Sequence, residues 1–566
     1  MRYWILVITL LCTALVQAKM YQWVDDKGRT HFSDKPPASL LEKQPASETT
    51  AHVPGKNKSS NSAKSPNQYA VRSSLSPLKN SGNQTLLILE MRELLEQKNY
   101  QELNSLLESA RISALEDVST EEHLIDLYQS FGLTTEGFGQ LLNAWVNAYP
   151  ASYQPFLARA HYFQTMGWRA RGAKWGSETS EKQKSTMKSY FSKAEADVNK
   201  ALNRNPSSLM AYLLLMQGSY VKSGFNELDS AFEKGLKLSP ASYKLRQRYI
   251  RCQRPRWGGS LEKMIEVVVE SEALIDENSE LINLASWILE DIFSDQYSNG
   301  NYTLAKKTLG EGLSKIKNAA IQNGYADVKT DHFILYKQGR VEMQLDNYKA
   351  ALRYFDLAIE GNENGADYYY QRSKAQLSLD NYAASTSDLL IALTIDPTDK
   401  SYLSFRKRLI NNLNYASYEA KNNVKLTQAL QLVNFSLQLN PYDIKSLRRR
   451  SYVYIAKRQI RQAKQDMDKA IELDPSDYDS YKGMDDVLLM ERRFEEIAAY
   501  WGKYIALKPN DSRAFFERAG THYHMKRIDL AVKDAKHAAK LGHPNAEEEL
   551  RYYKTVLIGG KLRSDS

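Results

Sequence analysis

The chain has 566 residues, 42% hydrophobic and 25% charged, with a formal net charge of +9 that becomes +8 without Arg2. Spread over this length the charge is mild: it permits an acidic partner or an anionic surface and gives no indication of nucleic acid. Cysteine numbers 2, Cys12 and Cys252, and Cys12 falls in the N-terminal apolar run, so an intramolecular disulfide is excluded once that run is removed. Met1 to Ala18, MRYWILVITLLCTALVQA, has one early Arg and an apolar core, with Val16 and Ala18 as small residues before the expected cut. The pattern predicts a cleaved signal peptide over residues 1–18. As an uncleaved anchor the run falls short of the ~20 residues that a spanning helix needs. No later apolar run is long enough to cross a bilayer.

Residues 19–37, KMYQWVDDKGRTHFSDKPP, predict a small β-hairpin domain, with strands Tyr21–Val24 and Thr30–Ser33 around Gly28. Residues 38–83 are rich in Ser, Asn, Lys and Pro, bury too little apolar surface to offset chain entropy, and predict a disordered linker. The order of Tyr21, Trp23, Asp25, Gly28, Phe32, Ser33, Asp34 and Pro36 resembles a domain of unknown function, DUF4124, found behind the leader of bacterial envelope proteins. That resemblance implies a Gram-negative exported protein, periplasmic or secreted, and carries no catalytic role.

From Leu86 onward the chain reads as helical and repetitive. Pro206 and Pro240 lie 34 residues apart, as do Pro441, Pro475 and Pro509. A 34-residue period is the mark of tetratricopeptide repeats. Within one period, Ile444–Asp477, the residues Leu447, Ser451 and Tyr454 fall on a first helix and Ala463, Met467 and Ala470 on a second. Small residues at Ser451, Ala463 and Ala470 allow the two helices to approach. From Pro397 to Pro441 is 44 residues, one period plus a ten-residue insertion near Asn411–Asn423. The fold class expected is mostly α, a tetratricopeptide-like solenoid behind the β head and linker. Its parts are a divergent helical repeat region over 84–283, regular repeats over 284–555 and a tail over 556–566.

Two stretches interrupt the divergent region, GWRARGAKWGSETSEKQKSTM (167–187) and RCQRPRWGGSLEKM (251–264). Trp168, Ala170, Arg171 and Gly172, with Pro255–Ser260, resemble signatures of a second domain of unknown function, DUF4034, helical and repeat-like. The resemblance implies an architecture and no reaction. Arg171 and Arg256 beside Trp168 and Trp257 are candidates for an anion or glycan site, since Arg pairs with carboxylates and stacks on rings. The competing reading makes the tryptophans wedges between hairpins, with Gly258 and Gly259 allowing a tight bend.

No phosphate-cradling glycine loop, HExxH, cysteine cluster or nucleophile elbow occurs, so no catalytic, metal or cofactor-binding residue is assigned. Recognition remains. Repeat register puts Tyr336, Arg340, Tyr370, Lys374, Arg448, Tyr452, Lys482, Phe516 and Tyr523 on the groove-facing side of first helices. Alternating aromatics and cations suit a protein or peptide carrying carboxylates, or an anionic cell-wall glycan. The reading is therefore an exported, non-enzymatic scaffold that holds a protein or peptide partner. Its alternative is an enzyme, or an enzyme's regulatory subunit, with its site around Arg171 and Arg256.

Overall fold

A computed structural model describes residues 21–24, 30–33, 87–172, 179–222 and 225–564. Strands β1 (Tyr21–Val24) and β2 (Thr30–Ser33) pair antiparallel, Tyr21 opposite Ser33 and Val24 opposite Thr30. The other residues of the expected head, the leader and the linker lie outside the described residues. All else in regular structure is helical, with 25 α-helices among the described residues. They divide into two compact units: the helices up to Leu379 with segment Ile391–Asp399 form unit 1, and Asp380–Leu390 with everything from Lys400 form unit 2.

Unit 1 starts with α1 (Leu87–Glu96), α2 (Tyr100–Glu116), α3 (Glu121–Gln129) and α4 (Phe138–Ala148). Next come the long pair α5 (Gln154–Arg171) and α6 (Glu181–Arg204), then α7 (Leu209–Lys222), α8 (Phe225–Leu238), α9 (Tyr243–Cys252) and α10 (Leu261–Ser271). It continues with α11 (Leu284–Ser298), α12 (Tyr302–Gln322), α13 (His332–Gln344), α14 (Tyr348–Gly361) and α15 (Ala366–Ser378), while α16 (Tyr382–Ile395) crosses the divide. One apolar core runs from Met91 to Val341, through the 283/284 position where divergent repeats were expected to give way to regular ones. Fully buried Trp145 sits between Tyr100 at 6.1 Å and Phe131 at 5.5 Å, and Trp287 stacks on Phe333 at 5.3 Å. Ser180 and Gln183 cap α6 reciprocally, satisfying two N–H groups that a helix start leaves unpaired.

Unit 2 shows why the period is 34. Its hairpins pair first helices α17 (Lys400–Asn422), α19 (Ile444–Ala456), α21 (Tyr478–Leu489) and α23 (Ser512–His524) with α18 (Leu426–Leu439), α20 (Ile460–Leu473), α22 (Phe494–Leu507) and α24 (Ile528–Lys540); α25 (Ala546–Ser564) follows. Asp443, Asp477 and Asp511 stand before first helices at 34-residue spacing, and each side chain accepts a backbone N–H, from Ser446, Ser480 and Arg513. An acidic cap also complements the helix dipole, and each such cap contributes about 1 kcal/mol. Inside the α19–α20 hairpin Ala463, Met467 and Ala470 are wholly buried, and the Ser451 hydroxyl donates to the Ala463 carbonyl at 2.8 Å. Ser417 makes the same bond to Ala429 at 2.7 Å, one period earlier. The ten inserted residues lengthen α17 to 23 residues against 13 in α19. At 1.5 Å per residue that is about 15 Å of extra first helix.

The link between first and second helices has its own rule, one that the hydrophobic pattern does not display. Asp346, Asp380, Val424, Arg458, Arg492 and Lys526 all hold φ between 56° and 61°, each at the same place in its repeat. This left-handed residue ends the first helix and costs an L-residue roughly 1–2 kcal/mol. Val424 is the β-branched member, 79% exposed, and its side chain makes no compensating burial. Val424→Gly relieves the strain and is expected to raise unit 2 stability by about 1 kcal/mol, less the entropy Gly adds to the unfolded chain. Urea titration followed by circular dichroism measures it; a destabilised variant shows that Val424 packs in a way its exposure conceals.

Candidate functional site

The 34-residue register sets matching positions of successive first helices side by side in unit 2. Asn414, Arg448, Lys482 and Phe516 form one column, Tyr418, Tyr452, Asp486 and Gly520 a second. Ties between neighbouring hairpins hold these columns. Asn414 donates to the Ser446 hydroxyl at 2.8 Å. Arg448 pairs with Asp477 at 3.1 Å and Asp479 at 2.8 Å. The Tyr452 hydroxyl donates to Asp486 at 3.2 Å, and burial together with that carboxylate pushes it up to about 12. Lys482 reaches Glu517 at 3.3 Å, Asp486 at 3.6 Å and Asp485 at 3.8 Å. Burial pulls the Lys482 ammonium down, but those three acids outweigh it and raise the group.

The run Arg448-Arg449-Arg450 is split three ways. Arg448 bridges to the next hairpin, as above. Arg450 grips Asp466 of its own second helix through two bonds of 2.7 and 2.8 Å. Arg518 repeats that grip on Asp534. Arg449 lies 4.7 Å over the ring of Tyr418 on the preceding first helix. Towards the end of the unit, Phe516 stacks on His543 at 4.1 Å, and Tyr523 stacks on Tyr553 and shares a 2.7 Å hydrogen bond with Tyr552. Helix α25 thus occupies the position where Tyr523 was expected to meet a partner.

The other four expected groove residues belong to unit 1. Tyr336 is a correction: only 6% exposed, it packs on Tyr368 at 5.0 Å and Phe355 at 6.2 Å and is core. The approach of α14 turns it inward. Phe355 is so close to α13 that a Cβ on Gly339 would lie 2.4 Å from its ring. Arg340 lies 4.8 Å over the Tyr297 ring and donates to its hydroxyl at 3.2 Å. Lys374 sits 5.5 Å over Tyr370, its own helix neighbour, and donates to Gln371 at 3.2 Å.

The Arg171/Arg256 region is also in unit 1. Trp168 meets Trp257 edge-on at 6.4 Å and Phe191 at 5.8 Å, and Arg171 lies 5.6 Å over Trp257. Arg256 pairs with the Asp291 carboxylate and donates to the Asp291 carbonyl at 2.9 Å, which consumes the charge expected for an anion. Gly258 holds φ at 85°, and a Cβ on Gly259 would lie 2.4 Å from the Gln253 carbonyl carbon, so the bend requires both glycines. Trp168 is half-buried and Trp257 is 40% exposed, so only Trp168 packs as a wedge would.

Sequence reading missed a cluster of titratable groups in unit 1. Glu122 and Asp126, one turn apart on α3, face Lys244 of α9, His332 at the start of α13 and the α14–α15 turn. Glu122 pairs with Lys244 and lies 3.6 Å from His332 Nε2, while Asn362 donates to both acids at 3.3 Å. Burial works against the Glu122 charge, but His332 and Lys244 outweigh it and hold the group down at about 2. Burial and then the Glu122 charge push Asp126 up to about 7. Among the described residues no group of three or more His, Cys, Asp or Glu is arranged to hold a metal ion, and no helix is long and apolar enough to cross a membrane.

The sequence matches the model of DUF4124, a domain of unknown function, over residues 7–68, and that of a second such domain, DUF4034, over 87–223. Residues 445–477 match the tetratricopeptide repeat. No curated protein sequence matches. Among solved structures, yeast Tom70 is similar at 15% identity over 85% of this chain and 96% of its own, with a TM-score of 0.25. The tetratricopeptide domain of P58(IPK) is similar at 16% identity over 82% of this chain and 98% of its own, with a TM-score of 0.22. The helical hairpins at a 34-residue period, one of them matched, give unit 2 a tetratricopeptide-type repeat fold.

Two predictions follow from the charges. Because Arg448 and Lys482 tie hairpins together, Arg448→Glu/Lys482→Glu removes those pairs and sets like charges against Asp477, Asp479 and Glu517. Stability should drop by roughly 1–3 kcal/mol, read as an earlier urea midpoint, where two freely solvated residues would cost almost nothing. The second concerns pH. A carboxyl raised to about 7 in the folded state, as Asp126 is, stays protonated after its unfolded counterpart has ionised, so stability is lost as pH rises from about 4 to 7. His332, raised above its ordinary value although burial opposes this, adds a loss of the same sign as pH rises through its folded pKa. Asp126→Asn should melt with wild type at pH 4 and several degrees above it at pH 8, with the His332 part of the slope remaining. Parallel melting curves at both pH values would assign the slope elsewhere.

Proposed function

We propose that the protein is an exported, non-enzymatic scaffold that holds an acidic segment of a protein partner on the α17–α19 part of the unit 2 first-helix face. One observation carries this reading: that part of the face presents aromatic rings and cations that the chain itself leaves open. Tyr415 is 66% exposed and Tyr418 40%, large apolar surfaces for a folded protein to leave in water. Arg449 stacks on Tyr418, and Lys445, exposed on the same helix, has no carboxylate partner. Further along, Arg448 and Lys482 are already neutralised by the chain's own acids. The expected acidic partner is therefore assigned to α17–α19 rather than to the whole stripe. An anionic cell-wall glycan is the other class this mixture suits. The leader over residues 1–18 and the DUF4124 match support export to the periplasm or beyond.

The test is fluorescence anisotropy of a labelled decapeptide of Glu and Tyr, run beside an anionic muropeptide. Lys445→Glu/Arg449→Glu should weaken peptide binding tenfold or more, since two charge-assisted contacts are lost. The remaining binding should respond less to salt. Stability should change by no more than about 1 kcal/mol, because neither residue bridges hairpins through an ion pair. Peptide affinity unchanged in the folded variant removes the site from α17–α19, and selective muropeptide binding replaces the protein partner with the glycan.

A further inference from the structure

Unit 1 contains a cavity of about 300 Å³, bounded by α1, α3, α5, α7 and α9, the α14–α15 turn and the Ile391–Asp399 segment. Its lining includes the apolar Ile88, Leu133, Met210 and Leu213 together with Arg92, Arg248 and His161. Residues 92, 161 and 248 come from three separate helices, so nothing in the linear pattern announces them.

Arg92 is the informative member. It is only 8% exposed, yet its hydrogen bonds all go to neutral carbonyls: Nε to Ser130 at 2.8 Å, Nη1 to Ile395 at 2.9 Å and to Thr394 at 3.4 Å. The Nη2 amino group makes none of these bonds, and among the described residues Arg92 forms no ion pair. The acid on the cavity wall, Asp396, is committed elsewhere. Its Oδ2 accepts from Arg169 at 2.7 Å and its Oδ1 from the Thr398 amide at 3.0 Å. A buried guanidinium with no carboxylate bonded to it is costly, and the Asp396 and Glu96 charges offset the desolvation of Arg92 only in part. Burial accordingly pulls Arg92 down to about 10. Burial and then Arg248 pull His161 down to about 4, so near neutral pH the imidazole has both a donor and an acceptor nitrogen. Asn364, also in the lining, has a buried Oδ1 that accepts no hydrogen bond among the described residues.

We infer that this cavity binds a small carboxylic acid, its carboxylate against Arg92 and its apolar body along Ile88, Leu133 and Met210. The volume sits at the lower end for ligand pockets, which matches an acid of about ten heavy atoms. Asn364 Oδ1, on the same lining, is the acceptor left for an N–H, which an N-acylated amino acid or a polypeptide C-terminus carries next to its carboxylate. A free fatty acid shares the carboxylate and apolar body and lacks the N–H. This site is separate from the α17–α19 face and stands or falls without it.

The experiment titrates the full chain calorimetrically with N-acetyl-leucine, hexanoate, the neutral amide of each, and inorganic phosphate. Both acids should bind at least tenfold more tightly than their amides and than phosphate. N-acetyl-leucine as the tighter acid assigns the acylamino or chain-terminal form; hexanoate as the tighter assigns the free acid. Arg92→Met should abolish binding, but Arg92 also holds α1 to Ser130. Gln129→Glu, at the cavity edge on a half-buried residue, is therefore the second variant. It places a like charge beside the ligand and should weaken both acids at least tenfold, while the melting temperature of the free protein moves by no more than about two degrees. Equal binding of acid and amide, phosphate binding as tightly as the acids, or acid affinity unmoved by Gln129→Glu overturns the site.

Discussion

Everything in unit 2 depends on how closely the two helices of a hairpin approach. At Ser451 and Ala463 the gap closes far enough for a side-chain hydroxyl to reach the facing backbone carbonyl, and Ser417 and Ala429 repeat the contact. A larger side chain at these positions would force the helices apart by more than a packed interior tolerates. Met467 and its equivalents then fill what remains. Once that distance is set, the left-handed turn and the aspartate cap follow, because the chain must reverse and restart within a few residues. Period, turn and cap are thus one constraint seen at three places.

Electrostatics is built on that frame and not independently of it. Because the hairpins stack at one repeat distance, a cation on one first helix lies beside the acids of the next. Arg448 and Lys482 therefore close the stack rather than wait for a partner. The same spacing puts Arg449 on Tyr418 without a carboxylate in reach. Neighbours in sequence have different tasks because a helix turns 100° per residue, so three consecutive arginines address three different surroundings.

Unit 1 solves a different problem. Its helices are less regular, and its core tolerates several buried charges. Glu290 is held down at about 2: burial opposes its charge, but Lys337 and Arg254 outweigh it, and such a network is sound only when every member is satisfied. Arg254 pairs with Glu290 and reaches Asp291 at 3.9 Å, Arg256 pairs with Asp291, and Trp168 meets Trp257 edge-on. Arg92, bonded only to carbonyls, stands apart from those paired groups, as does Arg246, whose bond goes to the Ser242 carbonyl.

The ten extra residues, expected near Asn411–Asn423, instead open α17, because Ser417 and Ala429 already keep the 34-residue register of Ser451 and Ala463. Sequence alone determined the helical class, the 34-residue repeat and the packed positions Ser451, Ala463 and Ala470. All of these are local periodicity, which a helix writes directly into residue spacing. The left-handed position was not legible, because Asp, Val, Arg and Lys occupy it in turn and share no composition signal. Register also identified which residues lie on first helices, and it put Arg448, Tyr452 and Lys482 on one face. It did not say which of them the chain would use for itself. Tyr336 became core because Phe355 arrives from the next helix, and Tyr523 is covered because α25 folds back onto it. Only the tertiary structure decided these, along with the meeting of Glu122 with His332 and of Arg92 with His161. Side chains on helices far apart in the chain find one another through packing, and packing has no period to read.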